Sequence, residues 1–217
     1  MVVKDISVAL SGPPSPEPVI EIPTEPIMEN QPSTQRKLQQ MLDCIHDPDP
    51  RFGIIGEYGM GGVGKTTLVR EVNNHFEKDM ARGLKIPFEI VIMVTVSATP
   101  NIQGIQNEIG DRLGLKDNRA NALFKALKKK FLLIFYDVWC KLKLEDIGIP
   151  HPRTHKGSKI LVTSRSKDTC TDMGARKTTK MHPLSEAESW ILFSDVAGEH
   201  VAADGIKVFS RKNCWKL

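Results

Sequence analysis

Gly59-Met60-Gly61-Gly62-Val63-Gly64-Lys65-Thr66-Thr67 fits the pattern G-x4-G-K-S/T from Gly59 to Thr66, and a fold class follows from it. The run before it, Phe52-Gly53-Ile54-Ile55-Gly56, is short and apolar in the manner of a strand, and Thr67 to Val72 continues as a helix. Strand, glycine-rich loop and helix in that order are the context of a phosphate-binding loop. Glycines let the backbone take positive φ and crowd its N–H groups toward one anion. The helix that follows aims the positive end of its dipole at the same spot. In such a loop Lys65 reaches the β- and γ-phosphates, and the Thr66 hydroxyl ligates Mg²⁺. The competing reading is a flexible glycine turn, which leaves the Lys-Thr pair, the spacing and the flanking pattern unexplained.

Downstream, Phe88 to Ser97 is almost unbroken apolar and rich in β-branched residues, as a strand covered on both faces must be. Pro100 opens a helix where a missing N–H costs nothing, with Ile102, Ile105, Ile109 and Leu113 on its buried face. A second helix is expected from about Asn118 to Lys130, then buried strands at Phe131–Phe135 and Lys159–Thr163. Strands alternating with helices at this spacing imply a parallel α/β sheet. Ser185 and Glu188 form a capping box ahead of Trp190, Ile191 and Phe193, so a further helix starts there. Upstream, Thr34 to Ile45 is helical, with Leu38, Met41, Leu42 and Ile45 on one face. Residues 11–32 hold seven of the 14 prolines and read as an extended linker.

Composition narrows the function classes. A hydrophobic fraction of 40% and a charged fraction of 26% are those of a globular protein able to bury a core. The net charge of +4 is mild and its lysines and arginines are scattered, which gives no reason to expect nucleic acid. Lys128-Lys129-Lys130 suits a solvated helix end. No apolar run approaches the roughly 18 residues of a membrane span, and no signal peptide is evident. Cys44, Cys140, Cys170 and Cys214 are far apart, so a reduced, cytoplasmic setting is expected. His151 and His155 have no Cys or acidic neighbour and read as a polar loop rather than a metal site.

A phosphate loop gives binding; a nucleotide cycle also needs an acidic residue at the end of another strand. Phe131-Leu132-Leu133-Ile134-Phe135-Tyr136-Asp137-Val138-Trp139 runs an apolar strand into Asp137, a candidate for holding Mg²⁺ and orienting water. A turn or capping aspartate is the alternative. Gly157 to Arg165 contains a strand ending in Thr163-Ser164-Arg165. Arg165 thereby lies at the carboxyl edge of the sheet, where open α/β folds bind ligands and where a guanidinium can read a γ-phosphate through paired hydrogen bonds.

Five segments in this order, namely the 59–67 loop, Phe88–Ser97, Phe131–Trp139, Gly157–Arg165 and His182–Phe193, closely resemble the NB-ARC domain of plant disease-resistance proteins. These are the coiled-coil class of nucleotide-binding, leucine-rich-repeat immune receptors, and the resemblance runs from about Thr34 to Gly198. It implies a P-loop NTPase fold, a parallel sheet flanked by helices, followed by a truncated helical ARC segment. It further implies an ADP-bound resting state, exchange for ATP on pathogen perception and slow hydrolysis. Carried onto this chain, the cofactor-binding residues are Gly59, Gly61, Gly62, Val63, Gly64, Lys65, Thr66 and Thr67. Thr66 and Asp137 are the metal candidates, and Asp137 and Arg165 the catalytic ones, Arg165 as γ-phosphate sensor. Expected partners are nucleotide and other immune-receptor chains or host signalling proteins.

Two departures qualify that transfer. The family usually has two adjacent Asp before Val-Trp, and this chain has Tyr136-Asp137. Because strand side chains alternate faces, Asp137 cannot replace the missing carboxylate without a backbone adjustment. Nothing after Gly198 resembles the family's Gly-Leu-Pro-Leu-Ala segment, its Met-His-Asp motif or a leucine-rich repeat, and the Ile206–Leu217 tail looks unrelated. The expected organisation is a Pro-rich linker at 1–33, a nucleotide-binding domain at 34–182 and a truncated helical segment with a divergent tail at 183–217. The two functional expectations are a switch that hydrolyses ATP slowly at most, and a binding-only adaptor or decoy acting through full-length receptors.

Overall fold

The computed structural model describes residues 20–22, 31–117 and 119–197. The expectations for the rest of the Pro-rich segment, for Asn118 as a helix start and for the chain from Gly198 onward lie outside those residues.

Five strands build the sheet: β1 (Ile54–Tyr58), β2 (Ile90–Thr95), β3 (Phe131–Val138), β4 (Lys159–Ser164) and β5 (Lys177–Lys180). Their order is β2-β3-β4-β1-β5 and every pairing is parallel, as the βαβ alternation predicts. Along β3, Phe131, Leu133 and Phe135 enter one core and Leu132 and Ile134 the other. That period of two is what makes a strand covered on both faces uniformly apolar. The first core is closed by α3 (Ile102–Arg112), α4 (Ala120–Ala126), α5 (Leu144–Ile147) and α6 (Lys167–Asp172). The second is closed by α1 (Pro32–His46) and α2 (Lys65–Ala81).

The helix starts obey local chemistry. Helix α1 begins at Pro32, two residues before the expected Thr34, because proline is accepted at a first position. Asn101 caps α3 by accepting from Gly104 N at 3.2 Å, with Pro100 just outside. Helix α4 is shorter than expected: it ends at Ala126, and the three lysines fall in the turn leading to β3. The capping box of α7 (Glu186–Ala197) forms as predicted. Ser185 Oγ accepts from Glu188 N at 3.3 Å, and Glu188 Oε2 accepts from Ser185 N at 3.1 Å.

Three polar contacts lock the outer layers to this frame. Glu57, wholly buried in β1, accepts from Thr179 Oγ1 at 2.6 Å and lies 3.1 Å from Lys37 Nζ, which also donates to Lys180 O. Burial pushes its carboxyl above the usual range, against the pull of Thr179 and Lys37. Glu188 also accepts from Ser33 N at 2.9 Å, so α7 is pinned to the start of α1. The side-chain amide of Asn74 on α2 accepts from Ile22 N and donates to Ile22 O, at 2.9 and 2.7 Å, and Asn73 donates to Ile20 O at 2.8 Å. Among the described residues, no helix is long and apolar enough to cross a membrane.

Candidate functional site

The phosphate loop joins β1 to α2 at the carboxyl edge of the sheet. Gly59 starts it by donating to Ser164 O at 3.2 Å, and a Cβ there would stand 2.6 Å from Met181 O. Gly62 and Gly64 take φ of 76° and 94°, which only glycine adopts cheaply. Gly64 is the N-cap of α2 and offers no side chain to its first turn. The N–H groups there therefore depend on something outside the helix, and an anion is the partner that both they and the dipole favour.

Lys65 arches back over the loop, its Nζ donating to Gly59 O at 2.7 Å and Met60 O at 2.6 Å. Burial, and then the neighbouring Arg165 charge, hold its ammonium below the ordinary lysine range, while Asp137 and Glu57 act in the opposite sense. Two cations converging on a cradle of N–H groups fit a polyphosphate. Thr66 is half-buried and Thr67 exposed on the first turn of α2; Val63 packs against the α2-side core.

Strand β3 ends in the backbone adjustment that alternation demands. Phe135 pairs with Val162 and Val138 with Ser164, so Tyr136 and Asp137 together oppose Thr163. This is a β-bulge. Asp137 is its extra residue, with φ of 58°, the one positive φ outside glycine among the described residues. Its N–H leaves the ladder and donates to Thr163 Oγ1 at 3.1 Å. Tyr136 still faces the α2-side core, and its hydroxyl accepts from Thr95 Oγ1. Val138 has moved to the opposite core. Asp137 is released from the strand's two-face alternation, and its half-buried carboxylate acts on Lys65. With the Thr66 hydroxyl it offers hard oxygen donors suited to Mg²⁺, which the phenol of Tyr136 does not.

Arg165 follows β4 directly. Its guanidinium carbon lies 4.6 Å from the centre of the Trp139 ring and faces Gly61 of the loop. The loop glycines, Lys65, Asp137 and Arg165 thus come together at one edge, drawn from β1, β3 and β4. Sequence reasoning missed Trp139 as a contact of Arg165; its position after the strand was visible, but nothing in spacing pairs it with a residue 26 places on. It also missed β5 and the residue after it: Met181 N donates to Tyr58 O at 2.7 Å and its methyl group packs by Gly64. His155 binds Ser158 Oγ and Lys128 O through its two ring nitrogens and stacks on Phe131. His151 accepts from Arg153 N.

The NB-ARC domain model matches residues 31–203. The disease resistance protein RFL1 of Arabidopsis thaliana is 34% identical over 193 residues, covering 84% of this chain and 21% of its own length. Disease resistance protein SUMM2 of the same plant is 36% identical over 190 residues, 83% of this chain and 20% of its own. This chain therefore spans about a fifth of the length of those relatives. Among solved structures, Cdc6p from Pyrobaculum aerophilum shares the fold alone, at 14% identity and a TM-score of 0.54, over 79% of this chain and 51% of that one.

Proposed function

The chain belongs to the NB-ARC family of plant disease-resistance proteins, and from that premise we propose that it is an ADP/ATP-binding switch module of innate immunity, with weak or absent ATP hydrolysis. The observation that carries this reading is the convergence of Lys65 and Arg165 on a loop whose glycines have positive φ and whose helix start has no side-chain cap. Gly59, Gly61, Gly62, Val63 and Gly64 wrap the phosphates through backbone N–H groups. Lys65 neutralises the β- and γ-oxygens, and Thr66, with Thr67 beside it, serves the Mg²⁺ side. Arg165 senses the γ-phosphate, the group that distinguishes ATP from ADP. The setting is cytoplasmic, in keeping with Cys44, Cys140 and Cys170 all free, and the partners are other immune-receptor chains or host signalling proteins.

Tyr136 favours a second reading, a binding-only module acting through full-length receptors. A phenol held by Thr95 stands where a carboxylate would complete the Mg²⁺ shell. Asp137 is then the one carboxylate available to serve both metal and water. Single-turnover assays separate the two readings, since a binding-only module retains ATP unhydrolysed.

The test of the shared premise is equilibrium dialysis with ADP and ATP in the presence of Mg²⁺. Wild type retains nucleotide, and Lys65→Ala weakens it about a hundredfold, the scale of losing one preorganised charged contact. Equal retention by the two proteins refutes the assignment of this loop.

A further inference from the structure

Arg165 is exposed, and among the described residues it has neither an ion pair nor a hydrogen bond. A long, free arginine ordinarily samples many rotamers. This one lies beside an aromatic ring and over a glycine of the loop. A Cβ built on Gly61 would lie 3.6 Å from its guanidinium carbon and 3.7 and 3.8 Å from the two terminal nitrogens. The carbon being nearest, with both nitrogens slightly farther, means that the guanidinium presents its face to the loop and not its edge. The indole of Trp139 is the contact that holds it, at 4.6 Å from ring centre to guanidinium carbon, within cation–π range. A guanidinium approached over its face keeps its in-plane N–H donors available, and those are the donors that grip phosphate oxygens in pairs.

Trp139 itself is 42% exposed, a costly place for an indole that packs into no core. Its carbonyl accepts from Thr169 Oγ1 at 3.5 Å, which ties its backbone to α6. The ring is held at the strand end beside the arginine that follows the adjacent strand.

Resting on the nucleotide-binding reading above, we propose that Trp139 is a positioning residue that holds the Arg165 guanidinium face-on to the phosphate loop, presetting it to discriminate a nucleoside triphosphate from a diphosphate. Trp139 acts on the terminal phosphate through Arg165. Its effect therefore falls on the terminal phosphate and spares the rest of the ligand.

The experiment measures ATP and ADP affinities of the full chain, with Mg²⁺, for wild type, Trp139→Leu, Trp139→Phe, Arg165→Ala and the Trp139→Leu/Arg165→Ala pair. Trp139→Leu keeps an apolar side chain and removes the π face, and it should weaken ATP about three- to tenfold, the range of one such contact, with ADP unchanged. Trp139→Phe restores part of the difference, and in the Arg165→Ala background the leucine change adds nothing further. Retained ADP affinity certifies that each variant is folded. An ATP-to-ADP ratio in Trp139→Leu equal to wild type overturns the proposal, as does an equal loss for both nucleotides or full additivity in the double variant. If wild type binds neither nucleotide, the underlying reading falls and takes this one with it, an outcome distinct from an unchanged ratio in a protein that binds both.

Discussion

Two strands of this sheet end within one site, and they leave it by opposite means. Strand β1 passes into a loop whose turns are made by Gly62 and Gly64, residues that take positive φ at little cost. Strand β3 makes its turn with Asp137, an L-residue forced to φ of 58° by a bulge. The first departure from regular structure is encoded by residue type; the second is imposed by pairing with the neighbouring strand. Strain at a non-glycine residue persists only where the surroundings over-determine it, here the Thr163 hydroxyl that takes the Asp137 N–H and the Val138–Ser164 pairing beyond. The strained end carries the carboxylate, and the relaxed end carries the phosphate cradle.

The sharpest way to break this comparison is chemical. Tyr136→Asp puts a carboxylate back on the α2 face and should raise single-turnover hydrolysis about a hundredfold, the rate equivalent of about 3 kcal/mol of transition-state stabilisation. If Tyr136→Asp leaves the rate unchanged, the bulge already delivers Asp137 to the metal and the tyrosine is no handicap. On the relaxed side, Gly64→Val forces a β-branched residue into φ of 94° and brings its Cβ to 3.2 Å from the Met181 methyl carbon. Binding should fall about tenfold, in line with a left-handed penalty of about 1–2 kcal/mol. Gly83→Val, at φ of 71° beyond the end of α2, should cost stability alone, read by thermal melting with nucleotide affinity unchanged.

A smaller effect isolates the strain itself. Asp137→Gly and Asp137→Ala both lose the carboxylate, but only glycine relaxes the backbone. The glycine variant should be the more stable by about 1 kcal/mol, and equal melting temperatures would show that the bulge carries no conformational penalty. The loop glycines, the buried strands and the capping box of α7 were legible because each is a local pattern. The bulge was legible only as a need: alternation requires an adjustment at Asp137, but its form depends on Thr163, 26 residues away. Strand β5 escaped detection for a different reason. Lys177-Thr178-Thr179-Lys180 has no apolar run, as suits a charged sheet edge protected from further pairing. Helix α6 was missed because six residues give too little periodicity to read.

The smallest predicted effect tests the same divide between local and distant encoding, in one residue. The Ser185–Glu188 half of the α7 cap was readable, whereas the bond from Ser33 N was not. That bond, followed by the Ser185 hydroxyl, lowers the Glu188 carboxyl to about 2 from an ordinary 4.5. A depressed carboxyl stabilises the fold above its unfolded pKa, and the contribution drains away as pH falls from about 4.5 toward 2. Wild type should therefore exceed Glu188→Gln in melting temperature near neutrality, with the gap narrowing below pH 4.5. Glu57 works with the opposite sign: burial raises its pKa, so protonation on acidification favours the fold. A gap between wild type and Glu188→Gln that stays constant down to pH 3 would show that the helix cap gains nothing from the charge.

The grip of Asn74 on Ile22 has a consequence for how the N-terminal segment tolerates change. One amide engages both the N–H and the carbonyl of a single residue, and Ile20 beside it leaves its side chain 43% exposed. The contact is written in main-chain atoms, so substitutions can pass through position 22 without registering in these two bonds. Proline alone among the twenty lacks the hydrogen that Asn74 accepts, and in a stretch so rich in proline the placement of an isoleucine there keeps the anchor open.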